Sequence, residues 1–227
     1  MYNRVYIGFL IINALYAVMI LSTQTIFGAG YTAPFSGWSL GGYWAASLPL
    51  SMITVLFMLM KFSPGNVDAI ISSSVIKPLN YTLARITSVT IGLSLIILIL
   101  YVLAALFTAV LFNKLPLYDL AFTMLLTAVP CYLITLGIGY IFKSFHSVFL
   151  YVLMIFILLI GFFPVNNYLD FFCGGYFSSE PILLPKAADG EPEFSLSFNF
   201  IVTRIIYFTI GLFVLLLSAR KSKFKRI

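Results

Sequence analysis

Six long apolar stretches, separated by shorter polar breaks, set the rhythm of the chain. They run over 5–27, 43–60, 86–112, 120–142, 147–164 and 200–219. An α-helix rises about 1.5 Å per residue and a bilayer's hydrocarbon core is about 30 Å thick, so about 20 apolar residues cross it. Each stretch is read as a membrane-spanning helix, the fifth being the shortest. The break at 61–85 contains a weaker helical pattern. Ser63 can serve as N-cap with Pro64 at the first helical position. Val67, Ile70, Ile71 and Ser74 then share one face, while Asn66, Asp68, Ser72 and Ser73 point elsewhere. Pro78 interrupts the pattern, so Lys77–Pro78 reads as an elbow into the third span. This short amphipathic helix is either an interfacial helix resting on lipid headgroups or a docking knob for a cytosolic partner.

The break at 165–199 divides in two. Its first part, "NNYLDFFCGGYF", is too apolar for an open loop and is read as partly re-entrant, which requires protein to cover its backbone. Its second part, "SSEPILLPKAADGEPEFS", is proline-rich and acidic, as a solvated cap would be. The earlier break "GAGYTAPFSGWSLGG" is uncharged, glycine-rich and read as a loop.

Composition agrees with the pattern. Hydrophobic residues make up 62% of the 227 and charged residues 9%, against about 25% charged in a soluble domain. The chain is therefore expected to be an all-α integral membrane protein, one transmembrane domain over 1–227. Charge then sets its direction. Arg4, Lys61, Lys77, Arg85, Lys143 and the basic tail 220–227 fall on one side. Lys114 and Lys186 fall on the other, with Arg204 near a span end. Basic residues collect on the cytoplasmic side, so both termini are expected inside. Of the acidic residues only Asp68 falls inside; Asp119, Asp170, Glu180, Asp189, Glu191 and Glu193 fall outside. The net charge of +6 is concentrated in "ARKSKFKRI". Beside an apolar helix, that tail is an anchor on anionic lipid rather than a nucleic-acid site.

Candidate chemistry is sparse. Cys131 and Cys173 fall in different predicted layers, which argues against an intrachain disulfide, and His146 is the single histidine. No N/S metal set and no catalytic pair follows from these residues. A phosphate-cradling loop needs GxxxxGK[ST], and no such run occurs. Within the spans, Asn13 and Gln24 stand out because an amide needs partners on both its sides. Most other span hydroxyls read as helix–helix contacts, and Gly137 and Gly139 as close-packing sites. Arg204 lies about a turn and a half into the last span. It either snorkels or pairs with a loop carboxylate such as Glu193 or Asp170, or else it faces a substrate path.

Six spans with both ends inside, a short helix between spans two and three, and a long outer region between spans five and six resemble the ABC-2 type permease family. The local pattern is "DAIISSSVIKPLNYTLAR", with Asp68, Ser72–Ser74, Lys77–Pro78 and Arg85. The resemblance implies that 67–74 is a coupling helix seated on an ATPase subunit, with Val67, Asp68, Ile70, Ile71, Ser74, Lys77 and Pro78 as coupling residues. It implies a half-size permease in the bacterial cytoplasmic membrane, paired with a second copy or a sister permease. Two cytosolic ABC ATPase subunits would bind ATP and Mg; this chain would hold no cofactor. Asn13, Gln24 and Arg204 are the candidate substrate-path residues. Exporters of this kind often carry an amphipathic helix before span one, whereas here Met1–Arg4 alone precede it. The sparse intramembrane charge suits an amphipathic or hydrophobic cargo, a peptide or toxin first. The competing expectation is a self-sufficient channel or secondary transporter. Such carriers place ionisable relays inside the membrane, and no Asp or Glu falls within a span as read here.

Overall fold

The computed structural model describes residues 4–25, 32–61, 78–146, 148–163, 170–184 and 193–221. Among them every regular element is helical. In chain order these are α1 (Arg4–Ile20), continued by a π turn (Leu21–Thr25), α2 (Gly37–Lys61), α3 (Pro78–Phe112), α4 (Leu117–Phe145), α5 (Val148–Phe162), α6 (Gly174–Leu183) and α7 (Phe198–Lys221). Five of them, all but α5 and α6, are long and apolar enough to cross a membrane. The chain therefore has the build of a multi-pass membrane protein. α5 has 15 residues, about 22 Å of helix.

The bundle is built around α2. Two-thirds of its apolar window is buried, 67%, against 28% for α1, 22% for α3 and 17% for α7. α1, α3, α4, α5 and α6 all pack against it. That burial explains why α2 begins at Gly37, six residues earlier than the apolar pattern suggests. The glycines that signal a loop are there for proximity. A Cβ on Gly41 would lie 2.2 Å from the Phe177 ring of α6, so tertiary packing overrides weak helix propensity. Ser36 caps the new start, its Oγ accepting from Ser39 N at 3.3 Å.

Two more differences follow the same logic. α3 begins at Pro78, where a ring with no N–H fits the first helical turn. The elbow residue is thus the first residue of a long helix. And α6 occupies "GGYFSSEPIL", across the boundary drawn between an apolar dip and a solvated cap. α3 closes on Asn113, whose φ of 53° and N–H bond to Ala109 O form a left-handed cap.

Polar tips of aromatic side chains tie helices together without exposing a donor to hydrocarbon. Tyr6 Oη donates to Gly92 O at 2.7 Å, Tyr43 Oη to Leu100 O at 2.9 Å, and Trp44 Nε1 to Leu120 O at 3.0 Å. The tightest seam joins α4 to α7. A Cβ on Gly211 would meet Ile134 N at 2.8 Å, and one on Gly137 would meet Val214 Cγ1 at 2.9 Å. These two pairs set α4 and α7 side by side and parallel.

Candidate functional site

The sequence-predicted coupling residues Val67, Asp68, Ile70, Ile71, Ser74 and Lys77 lie outside the described residues. What the structure does describe is the pair of helix ends that flank them. The last carbonyls of a helix lack intrahelical partners and carry partial negative charge. At the end of α2, Leu59 O accepts from Arg85 Nη2 of α3 at 2.9 Å and from Lys143 Nζ of α4 at 2.6 Å. One oxygen, with its two lone pairs, thus ties the last turn of α2 to α4 and to α3 at Arg85, about two turns past its start at Pro78.

The buried charges, Asp170 and Arg204, lie toward the other end of the bundle. Segment 170–173 packs against α4 at Cys131, whose Sγ donates to Phe171 O at 2.9 Å. Cys131 is 14 residues along α4, about 21 Å down its axis. A buried non-helical backbone needs internal partners, and Arg204 of α7 supplies two of them. Its Nη2 donates to Asp170 O at 2.7 Å and its Nη1 to Phe171 O at 3.2 Å. Phe200 and Tyr207, on the same face at helical spacing, hold the guanidinium between their rings at 4.9 and 5.0 Å. Arg204 is 2% exposed, so it reaches into protein rather than out to the membrane surface.

Asp170 turns its carboxylate back on its own segment. Oδ1 accepts from Phe172 N at 3.2 Å and Oδ2 from Gly175 N at 2.6 Å. This organises the start of α6, whose N-cap, Cys173, has a φ of 69°. A left-handed residue with a Cβ is strained by about 1–2 kcal/mol. The two cysteines, expected in separate layers, meet at this cap, and both are free thiols. Burial pushes the Cys173 thiol up to about 12, which keeps it protonated and unreactive. A strap closes the cap. Tyr176 stacks on Phe200 at 3.8 Å and its Oη accepts from Ser197 N at 2.9 Å. Trp38 Nε1 donates to Glu193 O at 3.3 Å.

Below this cap lies a cavity of about 290 Å³. α4 contributes Ile134, Thr135 and Ile138, and α5 contributes Leu153, Phe156, Ile157 and Ile160. Asp170, Phe171 and Tyr207 form its upper wall. No signal in the sequence marked it, since its lining comes from three helices and one short segment.

Of the substrate-path candidates, Asn13 belongs to neither place. Its Nδ2 donates to Phe9 O at 2.8 Å and to Thr54 Oγ1 at 3.0 Å, and Ser51 Oγ donates to its Oδ1 at 3.1 Å. It is 2% exposed and joins α1 to α2. Gln24 falls in the π turn, and its side chain lies outside the described residues. Pro78 opens α3. His146, at the end of α4, is exposed and accepts from Val148 N through Nδ1 at 3.2 Å. Among the described residues no three of His, Cys, Asp and Glu come together as metal ligands would. No protein-family model, curated protein or solved structure matches the chain.

Proposed function

We propose that this chain is the permease subunit of an ATP-binding-cassette exporter in a bacterial cytoplasmic membrane. On this reading α5 completes a set of six spans, both termini are cytoplasmic, and 170–184 is a re-entrant element on the outer side. Separate ATPase subunits bind ATP and Mg, and a second permease copy completes the pathway. The cargo is amphipathic or hydrophobic, a peptide or toxin first. It moves outward as the two membrane halves alternate between inward and outward access.

The observation that supports the reading is the three-helix junction at Leu59 O. Segment 62–77 connects α2 to α3; the Arg85 contact binds these two helices to each other and the Lys143 contact binds α2 to α4. A partner that displaces the segment would therefore act on three helices tied at one point instead of fraying one. A loop serving only as a connection needs no such tie.

The test is purification in mild detergent from the native host. An ATPase with a phosphate-binding loop should copurify. Asp68→Lys or Ile71→Arg should retain ATPase binding in part but lower cargo-stimulated hydrolysis and export by about tenfold or more. Transport by the purified chain alone in liposomes would replace this reading with that of a channel or secondary transporter.

A further inference from the structure

The three groups that meet at Leu59 O also mark a depth. The apolar windows of α2, α3 and α4 run over Gly37–Met60, Leu83–Phe112 and Leu117–Lys143. Leu59 lies at the end of the first, Arg85 at the start of the second and Lys143 at the end of the third. In a multi-pass protein that is the level of the lipid headgroups. Two cations therefore stand together where the hydrocarbon stops. At 2.9 and 2.6 Å from one oxygen, Arg85 Nη2 and Lys143 Nζ are no more than about 5.5 Å apart.

Like charges so placed repel, and one neutral carbonyl does not cancel two of them. Lys143 keeps donors in reserve: an ammonium has three, and Leu59 O takes one. Among the described residues no carboxylate meets its charge. The guanidinium of Arg85 lies over the Tyr140 ring of α4, 5.9 Å from its centroid, which holds it on the side of Lys143. Neither cation is sealed in; both are partly exposed. Beside Arg85 the flank of α3 is open, with Leu83, Ala84 and Thr87 exposed. Further along α3, Ile91, Leu95 and Leu98 are exposed and share one face. From Arg85 to Leu95 is about 15 Å of helix, the depth of one leaflet of hydrocarbon.

We propose that Arg85 and Lys143 hold the phosphate of an anionic phospholipid, with an acyl chain lying along Ile91, Leu95 and Leu98. A phosphate between two nitrogens at this separation accepts from both at charge-assisted distances of about 2.7–2.9 Å. Its negative charge offsets the repulsion between them. A choline headgroup brings a further cation to a site that already has two. A glycerol headgroup brings none, and that difference sets the preference. Basic sites between membrane helices take anionic headgroups on the same grounds. The lipid adds a membrane component to the tie among α2, α3 and α4. The proposal is independent of any ATPase partner.

The test uses the full chain, purified alone in mild detergent and followed by native mass spectrometry as lipid is added. Phosphatidylglycerol should be retained about tenfold more tightly than phosphatidylcholine with the same chains. Millimolar inorganic phosphate should not displace it, since a free phosphate has no chain to lie on α3. Lys143→Gln keeps a donor for Leu59 O and loses the charge. It should weaken phosphatidylglycerol about tenfold and leave phosphatidylcholine unchanged, and Lys143→Arg should restore the preference. Arg4→Gln removes an exposed cation at the start of α1, at the same end of the bundle. It should change retention by less than about twofold. Equal retention of the two lipids by the unmodified chain would overturn the proposal, whatever the variants do. An equal loss in Arg4→Gln, which is diffuse attraction, or full retention in Lys143→Gln would overturn it too. Displacement by inorganic phosphate would overturn the lipid as the source of the anion.

Discussion

Asn13 and Arg204 are equally buried, each 2% exposed, yet they hold different kinds of structure. Asn13 joins two regular helices whose backbones already satisfy themselves. Its partners, Ser51 and Thr54, have bonds of their own to Ser47 O and Leu50 O, so the cluster adds adhesion to helices that exist without it. Arg204 grips a stretch of backbone that no helix satisfies. The carbonyls of Asp170 and Phe171 have one other donor each, Cys173 N at 3.3 Å and Cys131 Sγ at 2.9 Å, and Arg204 fills their second acceptor site. A neutral amide glues; a cation here makes an irregular segment possible. The difference teaches that burial alone does not rank polar residues in a membrane bundle. What their partners would do without them does.

The comparison breaks first at Arg204. Arg204→Met should destabilise the cap by about 3–5 kcal/mol, because it removes two charge-assisted hydrogen bonds to buried carbonyls, each worth about 1.5–3 kcal/mol. Alkylation of Cys173, followed by mass spectrometry, should rise by more than tenfold. Arg204→Lys should recover only part of the loss, since an ammonium cannot reach two carbonyls in the planar geometry of a guanidinium. Unchanged protection of Cys173 in Arg204→Met would remove the asymmetry altogether.

Asn13→Leu should cost about 1 kcal/mol, the usual scale of an interhelical hydrogen bond in a membrane. It should leave Cys173 alkylation untouched. Denaturant unfolding in micelles reads the first effect, and the labelling assay reads the second. The smallest expected effect sharpens the picture of the cap itself. At Cys173 the left-handed backbone favours glycine, so Cys173→Gly should be more stable than Cys173→Ala. Ordinary core truncation gives the opposite order, because the smaller residue leaves the larger hole.

Five of the six expected spans are helices long and apolar enough to cross a membrane, and they were legible because an apolar run of about 20 residues has few other uses in a folded chain. α2 shows where that reading fails. Its first turn and a half, Gly37 to Gly42, looks like a loop in composition and is helical because Phe177, some 140 positions later, needs the space at Gly41. Arg204 was legible as an oddity, and Asp170 as one of its two candidate partners; its geometry was not. The bonds go to main-chain carbonyls, and main-chain groups leave no mark in a sequence. Thr135 was indistinguishable from its neighbours in the sequence, and only the structure reveals that its buried Oγ1 has no hydrogen-bond partner.

The shortness of α5 reaches beyond the protein on the six-span reading proposed above. At about 22 Å the helix would fall about 8 Å short of an ordinary hydrocarbon core. Pro49 and Phe172 face Gly161 on one side, while Ile155 and Phe156 are exposed on the other. A bilayer crossed there would thin on that flank alone, at a fraction of a kcal/mol for each ångström of mismatch, and a six-span protein would favour short-chain lipids as its neighbours on that side.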